Sequence, residues 1–127
     1  RTSAVLLGKG VQVYTCTNGA WTLLEPAATL YSGRKAVGLH SRGPEWISTV
    51  DGSAVNATAV ASVPQPTAVA ELLLKATANR GTGTFGKVAY VQRLDTKGGL
   101  APTGTCASTD QLAVPYSATY VFYTPAA

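Results

Sequence analysis

The strongest constraint on this chain is a pair of cysteines, Cys16 and Cys106, which stand 90 positions apart. Two cysteines allow a single bridge, two free thiols or part of a metal site. A structural metal site needs about four ligands, often Cys together with His, and the chain has one histidine. A redox C-x-x-C motif is absent. We therefore expect a Cys16–Cys106 disulfide, with two buried free thiols as the alternative, and a protein made for an oxidising, extracellular compartment.

The sequence around and between the cysteines consists mainly of short segments with a β-strand pattern, separated by turn residues. Val11–Cys16 is rich in β-branched and aromatic residues, Asn18-Gly19 is typical of a tight hairpin turn, and Trp21–Leu24 predicts the returning strand. Pro26 is expected to end it. Further strands are predicted at residues 28–31, 36–40, 45–48, 54–63, 85–94 and 116–123.

One segment is ambiguous, because residues 69–79 combine good helix propensity with an apolar run that suits a buried strand. The β character of the neighbouring segments favours a strand. Residues 95–110 predict a long loop rich in Gly, Pro and Thr. The expected fold is all-β: residues 1–9 form an N-terminal arm, and residues 10–127 form one β-sandwich or flattened barrel of short, mainly antiparallel strands.

Charge and composition exclude several functions. Only 13% of the 127 residues are charged, and the net charge is +4. The ten basic residues are scattered, whereas nucleic-acid binding needs a cluster of them, so we expect no nucleic-acid partner. No apolar run approaches the ~20 residues of a membrane span. The chain begins with Arg1 rather than Met, which suggests processing, and Asn56 lies in a glycosylation sequon.

Several segments together resemble a family of small secreted fungal and bacterial proteins, known as the domain of unknown function DUF3455. The resemblance covers nearly the whole chain from residue 10 and lies in these segments: 10–16 (GVQVYTC), 28–31 (ATLY), 37–40 (VGLH), 43–46 (GPEW), 51–53 (DGS), 88–102 (VAYVQRLDTKGGLAP), Cys106 and 114–123 (VPYSATYVFY). It implies secretion and an all-β fold, and it implies no established activity or catalytic residue.

His40, Glu45 and Asp51 are the candidate catalytic residues. A lone histidine acts as a general base only beside a suitable partner, and Glu45 with Asp51 forms a possible glycosidase pair if the two carboxylates are close enough. Structural roles are the alternative for all three: a packed histidine, a Glu45–Arg42 ion pair and an Asp51-Gly52 turn. No metal site is expected. No cofactor is expected either, since the chain is short and no strand–helix dinucleotide unit is predicted.

Aromatic side chains on a β scaffold point to a binding role. An indole or phenol ring offers a flat apolar face with a polar edge, which suits stacking against a sugar, although at least half of these rings should pack in the core. The predicted ligand-binding residues are Tyr31, His40, Trp46, Asp51 and Arg93. Alternation places Tyr116, Ala118, Tyr120 and Phe122 on one face of the last strand.

The sequence therefore predicts a secreted, non-enzymatic binding or interaction module, with a glycan or cell-wall polymer as its ligand. A small hydrolase that uses His40 with Glu45 or Asp51 is the alternative. A structural or host-interaction protein without a small ligand is a third possibility. No feature of the sequence defines an oligomeric state.

Overall fold

The computed structural model describes residues 1–126 and consists of eight β-strands without helices, which confirms the all-β prediction. Ala127, the last residue of the predicted domain, lies outside the described residues. No segment within residues 1–126 is a helix of the length and apolar character needed to cross a membrane. The strands are β1 Thr2–Thr17, β2 Ala20–Ser32, β3 Lys35–Ser41, β4 Glu45–Ser48, β5 Ala54–Val63, β6 Glu71–Arg80, β7 Tyr90–Gly98 and β8 Gln111–Tyr123.

The strands form one closed antiparallel barrel. Each strand pairs with the next along the chain, and β8 pairs with β1 to complete the ring. The register of the closing pair runs from Thr2 opposite Tyr123 to Thr15 opposite Gln111. Of the two predicted architectures, the barrel is therefore the one adopted.

The predicted N-terminal arm is not separate from the barrel. Residues 2–9 belong to β1, and Leu6 and Gly8 are buried in the interior. Gly8 and Gly10 weaken the strand signal of this segment, and for this reason the sequence predicts an arm. Here these glycines allow close approach: a Cβ on Gly8 would lie 2.5 Å from the ring of Tyr120, and one on Gly10 would lie 2.2 Å from the carbonyl oxygen of Ala27.

Strand β2 also differs from the prediction, because it continues through Pro26 instead of ending there. The two predicted strands at 21–24 and 28–31 are one element with a register shift opposite Val13 and Tyr14. Pairing of β2 with β3 begins only at Ala28, so Pro26 has a paired neighbour on the β1 side alone. A proline is tolerated there because no second ladder requires its missing N–H group.

Other boundaries follow turn chemistry and tertiary packing. Asn18 and Gly19 both have positive φ, as expected for the predicted hairpin turn. The ambiguous segment is strand β6, paired on both sides. Residues 85–89 precede β7 instead of forming its first half, and Phe85 and Val88 are fully buried there. The long connection begins at Gly99 rather than at residue 95.

The barrel has two different ends. The turns β2–β3, β4–β5 and β6–β7 lie at one end with the N-terminus, which we call the closed end because Phe85 and Val88 fill it. The connections β1–β2, β3–β4, β5–β6 and β7–β8 lie at the other, which we call the mouth end. The apolar core near the closed end contains Leu6, Leu30, Val55, Phe85, Val88, Val91 and Phe122.

The Cys16–Cys106 disulfide is present and lies at the mouth end. Its Cα atoms are 5.9 Å apart, and it joins the end of β1 to the β7–β8 connection. Two backbone hydrogen bonds flank it: Cys16 donates to the carbonyl of Asp110, and Cys106 donates to that of Gly19. The long connection is therefore fixed against the β1–β2 hairpin.

We expect reduction of this bond to lower the free energy of unfolding by about 4–5 kcal/mol, because the unfolded chain regains the freedom of a very long loop. Urea unfolding with and without reductant measures the change. The double variant Cys16→Ala/Cys106→Ala is the control, since reductant should leave it unaffected. Two reactive thiols in unfolded, unreduced protein would contradict the bond.

Candidate functional site

A cavity of about 600 Å³ occupies the half of the barrel nearer the mouth end. Apolar side chains line much of its wall, including Leu24, Pro26, Ala57, Leu72 and Leu74. Polar and aromatic side chains lie at its inner part, namely Gln12, His40, Trp46, Arg93 and Tyr120. The volume falls in the range of small-molecule sites, and eight strands are enough for a barrel to enclose one small ligand.

His40 projects inward from β3 and is 3% exposed. Its ring stacks on the indole of Trp46, with 4.3 Å between ring centroids and 15° between planes. Its Nδ1 lies 2.9 Å from the backbone carbonyl oxygen of Glu45. A carbonyl oxygen only accepts, so neutral His40 carries its proton on Nδ1 and keeps Nε2 as an acceptor.

Burial is the main reason that the pKa of His40 falls from 6.5 to about 4. The Glu45 carbonyl opposes the shift, and the positive charge of Arg93 adds to it. The imidazole is therefore neutral at physiological pH, which suits a packed side chain that accepts a hydrogen bond from a ligand.

Trp46 and Tyr120 complete an aromatic group around His40. The Tyr120 ring lies 5.1 Å from that of His40 and 5.7 Å from that of Trp46. The hydroxyls of Tyr120 and Tyr116 are 2.9 Å apart. Burial raises the pKa of both phenols, so both are protonated and neutral.

Arg93 brings the positive charge into the barrel. It lies two residues after the buried Val91 on β7, so it shares the inward face. Its Nε donates to the carbonyl oxygen of Ala70 over 2.9 Å. Within residues 1–126 the ion pairs are Arg42–Glu25 and Arg80–Glu45, and neither involves Arg93. Its guanidinium therefore faces the cavity and forms no ion pair with a carboxylate of residues 1–126.

Two buried donors at the cavity have no partner among the described residues. They are Nε2 of Gln12 and Nε1 of Trp46, each on a side chain that is 1% exposed. A buried polar group without a hydrogen bond costs about 1–3 kcal/mol, so such groups are uncommon unless water or a ligand satisfies them. Both donors lie on the cavity wall and are available to a molecule placed there.

The other predicted site residues lie elsewhere. Glu45 contacts His40 only through its backbone, and its carboxylate pairs with Arg80 at 2.9 Å. Tyr31 follows the buried Leu30 on β2 and so belongs to the outer face. Of the five predicted ligand-binding residues, the cavity brings together His40, Trp46 and Arg93. It does not bring either candidate carboxylate to His40.

Asp51 organises the closed end. One oxygen accepts from the backbone and hydroxyl of Ser53, and the other accepts from the backbone and hydroxyl of Thr84. These hydrogen bonds hold the pKa of Asp51 well below its ordinary value. Its carboxylate thus joins the β4–β5 turn to the β6–β7 connection.

The letters of a G-x-G-x-x-G motif occur directly after β6, at Gly81, Gly83 and Gly86. A dinucleotide site requires a helix after these glycines, with its N-terminus at the phosphates. Here the chain continues as a loop, and Gly83 packs so closely on Asp51 that an added Cβ would lie 2.2 Å from its carboxylate. The loop therefore encloses a carboxylate of the protein itself.

Gln12 is the site residue that sequence reasoning missed. It occupies an inward position of β1, in phase with the buried Leu6 and Tyr14. A polar residue in the buried phase of a strand is the signal that could have identified it. No group of three or more His, Cys, Asp and Glu side chains forms a potential metal site in the part of the chain that the structure describes.

The lowered pKa of His40 predicts a loss of stability in mild acid. The unfolded chain binds a proton near pH 6.5, whereas the folded chain binds it only near pH 4. Acidification through this window therefore favours unfolding, by about 2–3 kcal/mol between pH 7.5 and pH 4.5. Urea unfolding of the native chain and of His40→Gln at several pH values measures the effect. The same pH dependence in both proteins would contradict this assignment.

Comparison with known proteins identifies the family. The family model described as a protein of unknown function (DUF3455) matches residues 31–124, which include His40, Trp46, Arg93 and Tyr120. No curated protein and no solved structure matches the chain. The match covers well over half of the sequence, so the chain belongs to the DUF3455 family. This confirms the resemblance found in its sequence motifs.

Proposed function

We propose that this protein is a non-enzymatic extracellular binding module that holds one small ligand inside its barrel. The observation that carries the proposal is the cavity, which combines an apolar wall with unpartnered donors on Gln12 and Trp46. Binding sites commonly have this composition: an apolar surface supplies affinity and a few polar groups orient the ligand.

The extracellular assignment rests on covalent chemistry. The Cys16–Cys106 disulfide joins distant parts of the chain, and such bonds persist mainly in oxidising compartments. The disulfide also fixes the β7–β8 connection at the mouth end. A rigid frame of this kind lowers the ordering cost of binding, because the site is formed before the ligand arrives.

A glycan or cell-wall polymer is the ligand favoured by the aromatic content of the sequence. A polymer is best bound by an open aromatic surface, whereas Trp46 lies in the interior with one face covered by His40. A polymer would have to enter the mouth by one end to contact this ring. The enclosed geometry therefore gives more support to a small ligand than to a long polysaccharide.

Hydrolysis is supported less well than binding. His40 would need a carboxylate or a nucleophile within hydrogen-bond reach to act as a general base. Glu45 is paired with Arg80, and Asp51 is hydrogen-bonded to Ser53 and Thr84 at the closed end. The neutral imidazole instead suits a role in shaping the cavity and accepting a hydrogen bond.

A neutral fluorescent probe, N-phenyl-1-naphthylamine, tests the proposal. We expect saturable binding of one probe per chain, with increased probe emission. Ala57→Leu should weaken binding about tenfold or more, because Ala57 is 3% exposed and its larger replacement extends into the cavity. Fluorescence titration measures both affinities, and circular dichroism checks that the variant is folded.

The matched control is Ala61→Leu, which adds the same side chain on the same strand at an exposed position outside the cavity lining. It should bind the probe as the native chain does. Soluble oligosaccharides are titrated in parallel, with displacement of the probe as the readout. No probe binding, or binding that is unchanged by Ala57→Leu, would overturn the cavity as the ligand site.

A further inference from the structure

The cavity carries an excess of hydrogen-bond donors and one uncompensated positive charge. Arg93 extends into it from β7, and no carboxylate within residues 1–126 forms an ion pair with it. The other arginine of the cavity lining, Arg42, lies at the mouth and pairs with Glu25 at 3.3 Å. A charge in a partly desolvated site is costly unless an opposite charge accompanies it.

Independent observations point to the same missing partner. Nε2 of Gln12 and Nε1 of Trp46 are buried donors without acceptors, and both side chains line the same cavity as Arg93. All of these groups need an acceptor, and a ligand rich in acceptor oxygens satisfies them together.

Much of the remaining wall is apolar, with Pro26, Leu72 and Leu74 among its side chains. A small inorganic anion would leave this surface in contact with water. A molecule with an anionic head and an apolar body instead satisfies both parts of the cavity, with its body along the apolar wall.

On the basis of the proposed binding function, we propose that the cavity selects an amphipathic monocarboxylate, with its carboxylate held by Arg93 and by the free donors of Gln12 and Trp46. One guanidinium without a carboxylate partner among the described residues matches one negative charge. A guanidinium also fits a carboxylate in a bidentate geometry that adds strength and direction. His40 faces the same space as a neutral group, so it adds no charge to the site.

The experiment compares three ligands that share one chain and differ in their head groups: octanoate, 1-octanol and octylammonium. Each is titrated at neutral pH against the native protein, with displacement of N-phenyl-1-naphthylamine as the readout. We expect octanoate to bind about tenfold to a hundredfold more tightly than 1-octanol, as hydrogen bonds to a charged group allow. Octylammonium should bind most weakly.

Arg93→Gln should remove the preference for octanoate over 1-octanol, measured as the ratio of the two affinities in the same variant. Arg34→Gln is the matched control, because Arg34 is exposed in the β2–β3 turn at the closed end; it should preserve the preference. If Arg93→Gln does not fold, the three-ligand comparison on the native chain still decides the question.

Two failures are distinguishable. Binding of the neutral probe with equal affinity for octanoate and 1-octanol, or with preference for octylammonium, would overturn the carboxylate assignment and leave the binding function in place. A preference for octanoate that survives in Arg93→Gln would also overturn it. Absence of binding by the neutral probe, together with no binding of the three ligands in a direct calorimetric titration, would overturn the binding function and the carboxylate assignment together.

Discussion

Pairing between the first and last strands is the interaction on which the rest of the structure depends. The β1–β8 ladder joins the two ends of the chain, from Thr2 opposite Tyr123 to Thr15 opposite Gln111, and turns a meander of hairpins into a ring. Without it both strands would be open edges, which favour association with other chains. Closure also places Gly8 against Tyr120, so the ladder determines where one of the main aromatic rings of the cavity lies.

Within the ring, the two halves of the interior have different chemistry. Toward the closed end, Phe85 and Phe122 pack at 4.8 Å between ring centroids, and Asn79 donates to the carbonyls of Phe85 and Val88. This half is filled and its polar groups are paired. Toward the mouth the barrel contains space, a charged group and unpaired donors. A core that is fully packed at one end gives the walls of the cavity at the other end a rigid base.

Much of the architecture could be predicted from local patterns. Alternation in the last strand correctly placed Tyr116, Tyr120 and Phe122 on one buried face. Three features depend on pairing between distant strands: the closure of the ring, the continuation of β2 through Pro26 and the inclusion of residues 2–9 in β1. The hydrophobic period and the strand propensity of a segment carry no information on such pairing. The candidate site could be predicted only in part for the same reason. Residue type indicates Trp46 and the position before the long loop indicates Arg93, whereas Gln12 is recognised only once its inward register is known. Glu45 and Asp51 were chosen by type as well, and their partners in space gave them other roles.

The connections between strands alternate between the two ends of the barrel. This separates two requirements that often conflict in small proteins, a variable opening and a stable packed core. Every second connection contributes to the mouth, and the intervening ones form the filled base where Asp51, Ser53 and Thr84 interlock. Substitutions in the β3–β4 or β5–β6 connections would alter the opening of the cavity without disturbing that base. A scaffold arranged in this way can diversify its selectivity while the part that maintains the fold stays constant.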